Sequence, residues 1–376
     1  MALLIETANA YGRGLLKGVV AYVREHEPWS VYLPEQGWGD KPSFDLKKYK
    51  VDGIIARIET PLIARVLKGI RVPIVDVSSS RLIPSLPWFE NDYQAIAKLA
   101  FDHFLCRGFK RFAFCSDKRY KWAELLSAQF TSCVRSSGFP CYIHVPMKPK
   151  PFGSDEEIND IIAWVKKLPK PIAIMGCNDF RARQVLEACR REDISVPDEV
   201  AVLGEDNDEV FCDLSEPPLS SIVQNSKRIG YEAAACLSRL MKGEIASSQG
   251  VFIPPIEIVT RQSSDVLAIE DRTVVQAVRF IREHACEGIN VKDVLKAVPH
   301  SRRLLESRFK KLLGRTPHEE ILHIQISRIK QLLVESELSM ERIAEKSGFA
   351  YVEYMSVAFK RVIGMPPSEY RRLYHP

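Results

Sequence analysis

The chain has 376 residues, 46% of them hydrophobic, which at roughly 150 residues per domain gives about two to three domains with enough apolar side chain to fill their cores. Its 53 Lys plus Arg against 48 Asp plus Glu leave a net charge of +5. This excludes a chain that is mainly disordered, and no run approaches the ~18 uncharged apolar residues of a membrane span. The opening MALLIETANA has no basic segment ahead of an apolar one, so a cytoplasmic protein with no membrane partner is expected. Nine cysteines without a CxxC pair read as small buried thiols rather than a disulfide framework or a zinc site. No metal and no cofactor are expected.

From the amino terminus, short runs rich in Val and Ile alternate with stretches apolar at three- and four-residue spacing. Strands are predicted at 2–5, 31–33, 53–58, 73–77, 111–115, 142–145, 171–175 and 200–203. Helices are predicted at 14–24, 92–106, 124–136, 156–168, 181–191 and 227–241, with Asp92 and Asp179 as N-caps. That alternation predicts an α/β body of two doubly wound parallel sheets, with ligands bound beyond the carboxyl ends of the strands. The polar stretch 262–271 loses the strand rhythm and holds the linker. The body is taken as 1–265, the linker as 266–271 and the tail as 272–376.

The tail is helical throughout by pattern. From residue 270 onward it carries 19 basic and 14 acidic residues, whereas residues 1–269 hold 34 of each. The net charge therefore resides in the tail, as in a nucleic-acid reader attached to a neutral body. FKKLLGRTPHEE from Phe309 matches FKRVIGMPPSEY from Phe359 at an offset of 50. Each copy reads helix, turn, helix, over about 290–313 and about 340–363. Leu305, Phe309, Leu312 and Leu313, then Met355, Phe359, Val362 and Ile363, form the core stripes. Outward on the second helix of each pair lie Arg302, Arg303, Glu306, Ser307 and Lys310, then Glu353, Tyr354, Ser356 and Lys360. Groups that can address base edges and phosphates are thus collected on one face, as a recognition helix in the major groove of double-stranded DNA requires. The connector 317–335 would span roughly 28 Å as a helix, against ~34 Å between successive major grooves.

These residues carry a resemblance. Residues 272–374 resemble the AraC-type DNA-binding domain, with its second helix-turn-helix read in Tyr354-Met355-Ser356-Val357-Ala358-Phe359-Lys360, then Gly364, Pro367, Tyr370 and Arg371. Val357 departs from that pattern, standing where many relatives have Arg. Residues 1–265 resemble the effector domain of the lactose-repressor type, itself similar to periplasmic sugar-binding proteins. Matching pieces are Val51-Asp52-Gly53-Ile54-Ile55, Asn178-Asp179, Val196-Pro197-Asp198-Glu199-Val200, Gly204-Glu205-Asp206-Asn207 and Pro217-Pro218-Leu219-Ser220-Ser221-Ile222-Val223-Gln224. The chain begins at its first strand, without that family's amino-terminal DNA-binding helices, so DNA reading is expected at the other end. The pairing over nearly the whole chain resembles the family of xylose-operon regulators. It implies a non-enzymatic, homodimeric transcription activator switched by a sugar, D-xylose or a related pentose, with RNA polymerase as a further partner.

Polyol recognition needs planar carboxylates and amides beside an aromatic face. Asn178, Asp179 and Asp206 meet that need by motif, each following an apolar strand. Tyr11 and Arg13 follow the first strand at the expected cleft edge, and Trp88 and Trp122 are stacking surfaces. Leu126 stands where the family commonly places an Arg facing the cleft, which leaves the individual sugar open. So does one reading of a different class: Gly12, Gly14 and Gly18 follow a strand and open a helix, as the loop of an NADP-dependent oxidoreductase would. Against it, the spacing is GxGxxxG and no acid ends the second strand. His318 and His323 lie five apart, where a helical zinc motif needs four.

Overall fold

The computed structural model describes residues 1–34, 50–146, 153–244, 250–266, 271–298 and 300–374. Residues 267–270 of the expected linker lie outside the described residues. The chain opens with β1 (Ala2–Leu4), α1 (Ala10–Glu25), β2 (Ile54–Ala56), α2 (Pro61–Leu67), β3 (Ile74–Asp76) and β4 (Phe89–Asn91). β1, β2 and β3 form a parallel sheet in that order. Helices cover it, so each strand is buried along its whole length instead of alternating. The strand expected at 31–33 reduces to one bridge between Ala2 and Tyr32. Val31 and Leu33 are exposed there, so burial does not extend the pairing.

A second lobe follows, with α3 (Tyr93–Leu105), β5 (Phe112–Cys115), α4 (Lys121–Ser136), β6 (Cys141–His144), α5 (Asp155–Val165), β7 (Ile172–Gly176), α6 (Asp179–Arg191), β8 (Val200–Glu205), α7 (Glu209–Asp213) and β9 (Ser220–Val223). The chain then returns to the first lobe through α8 (Ser226–Met241) and β10 (Val251–Ile253), which pairs with β4, and crosses back to β11 (Glu257–Val259). The second sheet runs β11-β9-β8-β7-β5-β6, with β11 its one antiparallel member. Three crossings, at β4–α3, β9–α8 and β10–β11, therefore join two doubly wound lobes. The space between them faces the carboxyl ends of both sheets, where such folds bind ligands.

The glycines at the start of the chain serve this packing. A Cβ on Gly14 would stand 1.9 Å from Ser226 Oγ, and one on Gly18 would stand 1.9 Å from the Lys227 carbonyl oxygen. Facing them, a Cβ on Gly230 would meet the Leu15 carbonyl oxygen at 2.0 Å. The glycines thus let α1 and α8 touch backbone to backbone. Asn9 already caps α1 by accepting from the Gly12 N–H at 2.7 Å. The amides a dinucleotide phosphate would use are engaged or packed, and the oxidoreductase reading falls on that geometry.

The polar stretch read as linker begins inside the body. Gln262–Ser264 form one 3-10 turn, in which Ser263 Oγ donates to the Val202 carbonyl at 2.7 Å and accepts from the Ser220 N–H at 2.9 Å. Arg107 Nε donates to the Ser264 carbonyl at 2.8 Å. Serines that satisfy strand backbone have the same composition as a tether.

The tail contains α9 (Arg272–His284), α10 (Val291–Ala297), α11 (Arg302–Leu313), α12 (Pro317–Glu335), α13 (Met340–Lys346), α14 (Val352–Ile363) and α15 (Pro367–Tyr374). Thr316 and Glu319 form a capping box at the start of α12, with Pro317 at its first position. α12 runs as the pattern predicts and enters both tail cores. It gives Ile321 to the α9–α10–α11 cluster, and Ile329 and Leu333 to the cluster of α13, α14 and Tyr370.

Candidate ligand cleft and nucleic-acid interface

Between the lobes lies a cavity of about 210 Å³, below the roughly 300–1,000 Å³ of drug-sized ligands and suited to a small molecule. The first lobe lines it with Tyr11, Arg57, Glu59, Ser79, Glu90 and Asn91. The second contributes Tyr93, Trp122, Asn178, Asp179, Phe180, Asp206, Asp208 and Phe211, with Gln224 at a crossing.

The cation of the cavity is already committed. Arg57 Nη1 donates to Glu6 Oε2 at 3.1 Å, Arg57 Nε lies 3.3 Å from Glu59 Oε1, and the guanidinium sits 5.1 Å from the Tyr11 ring centre. Glu90 pairs with Arg81 through Oε2, while its Oε1 is buried without a hydrogen-bond partner among the described residues. Burial pushes the Glu90 carboxyl up to about 7. Asn91 Nδ2 donates to Gln224 Oε1 at 3.1 Å, leaving Asn91 Oδ1 without a hydrogen-bond partner among the described residues. Trp122 stacks on Tyr120, with ring centres 5.3 Å apart and planes within 19° of parallel, and its Nε1 donor has no hydrogen-bond partner among the described residues. Each such buried group costs roughly 1–3 kcal/mol when left unpaired. Donors and acceptors waiting beside an aromatic face are the chemistry that polyol hydroxyls complete.

The expected site residues divide on this geometry. Asp206 lines the cavity with a backbone φ of 103°, and burial together with the neighbouring Asp179 pushes its carboxyl well above the usual range. Asp179 also lines it, but both its oxygens are used. Oδ2 accepts from the Asp208 N–H at 2.7 Å and Oδ1 from the Ser221 hydroxyl, while burial raises the carboxyl to about 7. Asn178 is the N-cap that the sequence assigned to Asp179, its Oδ1 accepting from the Arg181 N–H at 2.9 Å. Tyr11 and Trp122 are in the cavity; Arg13 and Trp88 are not among its lining. Arg13 ties α1 to the second lobe through Asp208 Oδ2 at 2.7 Å, its side chain 45% exposed. Trp88 lies under the Arg81 guanidinium, 3.4 Å from its ring centre, and against Phe252.

Leu126 is fully buried in the second lobe's core, and the cation comes instead from Arg57 on the other lobe. Arg57, Glu59, Glu90, Asn91 and Gln224 escape sequence reading because polar residues at strand ends break the apolar rhythm by which strands are found. Behind α6, the fully buried Arg181 donates to Asp117 Oδ2 at 2.6 Å, Glu157 Oε1 at 3.1 Å and Gln184 Oε1 at 2.7 Å. That network holds the helix whose start forms the cavity floor.

In the tail, burial repeats residue for residue from 303–311 to 353–361; beyond it Leu313 is buried where Ile363 is half-buried, and Val362, expected in the core stripe, is 50% exposed in the last turn of α14. Leu305 and Phe309 are buried as Met355 and Phe359 are, and Arg303, Ser307 and Lys310 are exposed as Glu353, Val357 and Lys360 are. Both helices end at a glycine with positive φ, 74° at Gly314 and 89° at Gly364, where a side chain would be strained. Arg302 and Glu306 form an ion pair at 2.8 Å on the α11 face, and Ser356 is half-buried. On α14, Tyr354 is 69% and Val357 67% exposed. No helix among the described residues is long and apolar enough to cross a membrane, and none of their His, Cys, Asp and Glu side chains form a group able to hold a metal ion.

A two-lobed α/β body with a small polar cleft, joined to paired helix-turn-helix units, is the build of a sugar-responsive, DNA-binding transcription regulator. Comparison with known proteins agrees. Residues 1–103 match the XylR N-terminal domain, residues 101–264 a periplasmic binding protein-like domain and residues 294–373 a helix-turn-helix domain. The chain is 31% identical to the xylose operon regulatory protein of Haemophilus influenzae, over 99% of this chain and 97% of that one. It is 32% identical to that of Escherichia coli K12, over 99% and 96%. A solved xylose-binding transcription activator superposes with a TM-score of 0.64 at 31% identity, covering 100% of this chain and 98% of that one. The chain belongs to the family of xylose operon regulatory proteins, which are transcription regulators and not enzymes. A lactose-repressor-type regulator from Alkaliphilus metalliredigens, solved with D-xylulofuranose, shares the fold of the body at 18% identity and a TM-score of 0.55, over 70% of this chain and 97% of that one.

Proposed function

We propose that the protein is a cytoplasmic, homodimeric activator of pentose catabolism genes, with residues 1–265 as a sensor of D-xylose or a related pentose and 272–376 as the DNA reader. The observation that carries this reading is the set of unpartnered polar atoms, Glu90 Oε1, Asn91 Oδ1 and Trp122 Nε1, gathered in one cavity beside Asp206. The names of the relatives favour D-xylose among sugars of that size. Asp206 and the unpartnered groups would take ligand hydroxyls, Tyr11 and Trp122 would cover the ring, and Asn178 and Asp179 would shape the floor. On DNA, Arg302, Arg303, Glu306 and Ser307 on α11, with Glu353, Tyr354 and Ser356 on α14, would face base edges, and Lys310 and Lys360 the phosphates. An activator of this build also contacts RNA polymerase.

The test is thermal unfolding and calorimetry with D-xylose, L-arabinose, D-glucose and NADPH, followed by operator binding with and without the sugar that binds. D-Xylose at a hundred times its Kd should stabilise by about 2.7 kcal/mol and tighten operator binding. A chain stabilised by NADPH and by no sugar would overturn the reading. Light scattering decides the dimer, and transcription reconstituted with RNA polymerase decides activation.

A further inference from the structure

We propose that the two recognition helices address different bases: α11 favours guanine through Arg303, whereas α14 reads a cytosine through Glu353 and an adjacent thymine methyl through Val357. This rests on the reading of α11 and α14 as major-groove helices. The offset of 50 makes positions 303 and 353 one structural slot and positions 307 and 357 a second, one helical turn further along the same face. All four side chains are exposed, so the slots are equally available to a groove.

Their chemistry is opposed. The guanidinium at 303 has only donors, which suits the paired O6 and N7 acceptors of guanine. A carboxylate in the equivalent slot has only acceptors, so guanine would repel it; of the two amino donors in the major groove, adenine N6 has the N7 acceptor beside it and cytosine N4 does not, so cytosine is the base a carboxylate suits. At 307 a hydroxyl can serve either base edge. At 357 an isopropyl group, 67% exposed, can make no hydrogen bond at all. The apolar group that a major groove presents is the thymine C5 methyl. Lys360 and Arg361, exposed at the end of α14, keep the charge needed for phosphates. α14 therefore gives up a hydrogen-bonding slot without losing backbone attraction, and the sequence read by each protomer has a direction: guanine under α11, thymine and cytosine under α14.

The experiment uses the full chain with its effector and a duplex that it has selected from a random library. Each thymine is replaced in turn by deoxyuridine, which removes only the C5 methyl and keeps base pairing. At one position under α14 affinity should fall about fourfold, the worth of one buried methyl. In the Val357→Ala chain the same replacement should change nothing, and Glu353→Gln should relax the preference for cytosine beside it. Both positions are exposed, and unchanged thermal unfolding of the variants checks that the fold is kept. If no single deoxyuridine weakens the native chain, or if Val357→Ala retains the sensitivity, the proposal is overturned while DNA binding stands. If the full chain selects no sequence, the reading of the helices as DNA readers fails, and the proposal fails with it.

Discussion

Replacing Asp206 with glycine should make the protein more stable and the sensor worse. The residue follows β8 with a φ of 103°, well beyond the left-handed region near 57° that Asp tolerates. Holding a non-glycine residue there costs about 1–3 kcal/mol. Glycine relieves that strain and removes a carboxyl that burial and Asp179 already disfavour as an anion. Against this stands about 0.5–1 kcal/mol of extra freedom in the unfolded chain. The balance is a gain of up to about 2.5 kcal/mol, and each kcal/mol raises Tm by roughly 2–4 °C for a domain of this size. Sugar affinity should move the other way, because the lost carboxylate leaves a ligand hydroxyl unpaired at about 2–3 kcal/mol, a 30- to 150-fold weakening. Scanning calorimetry without sugar and titration calorimetry with D-xylose read the two effects. Asp206→Asn separates them, since it keeps the strain and replaces the carboxyl by an amide. A variant Asp206→Gly that is less stable, or that binds D-xylose as the native chain does, would refute the reasoning.

Arg181→Met should cost about 2–3 kcal/mol in urea unfolding, because Asp117 and Glu157 would lose the buried one of their two cations and keep only the partly exposed Arg119; a loss under 1 kcal/mol would show that Arg119 alone compensates them. Asp179 has its carboxyl raised to about 7 from ~3.9 when unfolded, so the folded chain holds the extra proton. Its stabilising contribution is full below about pH 4 and is lost as pH rises through 7, and the Tm of Asp179→Asn relative to the native chain should climb between pH 4 and pH 8, where a constant difference would refute the assignment. Gly18→Ala places a Cβ against the Lys227 carbonyl and should destabilise by about 1–3 kcal/mol or more, a result that unchanged thermal unfolding would contradict. Lys110→Ala removes a contact between the second lobe and α11, and should leave D-xylose affinity within about twofold while shrinking the sugar-dependent gain in operator binding measured by fluorescence anisotropy.

Periodicity made most of this architecture legible. Strands buried on both faces announce themselves as apolar runs, which is why β5, β7 and β8 were readable, and the repeat exposed the two helix-turn-helix units because the same buried stripe recurs at a fixed offset. What escaped has a common cause. β4 reads Phe-Glu-Asn; two of its three residues are polar because they end at the cleft, so the stretch that supplies Glu90 and Asn91 does not resemble a strand. Arg57 and Glu59 follow β2 for the same reason. The motif around Asn178 and Asp179 lies on the cavity wall, but which residue caps α6 and which braces Ser221 depends on long-range partners that local sequence does not contain. Arg13 illustrates the limit: it follows β1 in the first turn of α1, and Asp208, 195 residues away, decides where its guanidinium goes.

Coupling between sugar and DNA needs a route, and α3 supplies one. Asn91 and Tyr93, at and just before its first turn, line the cavity, and its 13 residues carry roughly 20 Å to the opposite end. There Arg107 holds the turn that leads out of the body, through the Ser264 carbonyl and, at 3.3 Å, Thr260 Oγ1. Lys110 Nζ donates to the Leu312 carbonyl in the last turn of α11 at 3.0 Å. Beside these contacts, Asp265 faces Arg282 of α9 at 3.4 Å. A ligand can shift such a system only by its differential affinity for two arrangements, and a coupling of ~1–3 kcal/mol is enough to switch it. The polar contacts between body and tail are of that size: hydrogen bonds worth about 0.5–1.5 kcal/mol each, partly exposed and open to exchange with water. Beside them Ile256 of the body packs against the core of α12, α13 and α14, an apolar contact about which the polar ones could exchange. A seam of that kind, tied to the helix that starts at the cleft, would let closure around a sugar reset how the recognition helices are presented.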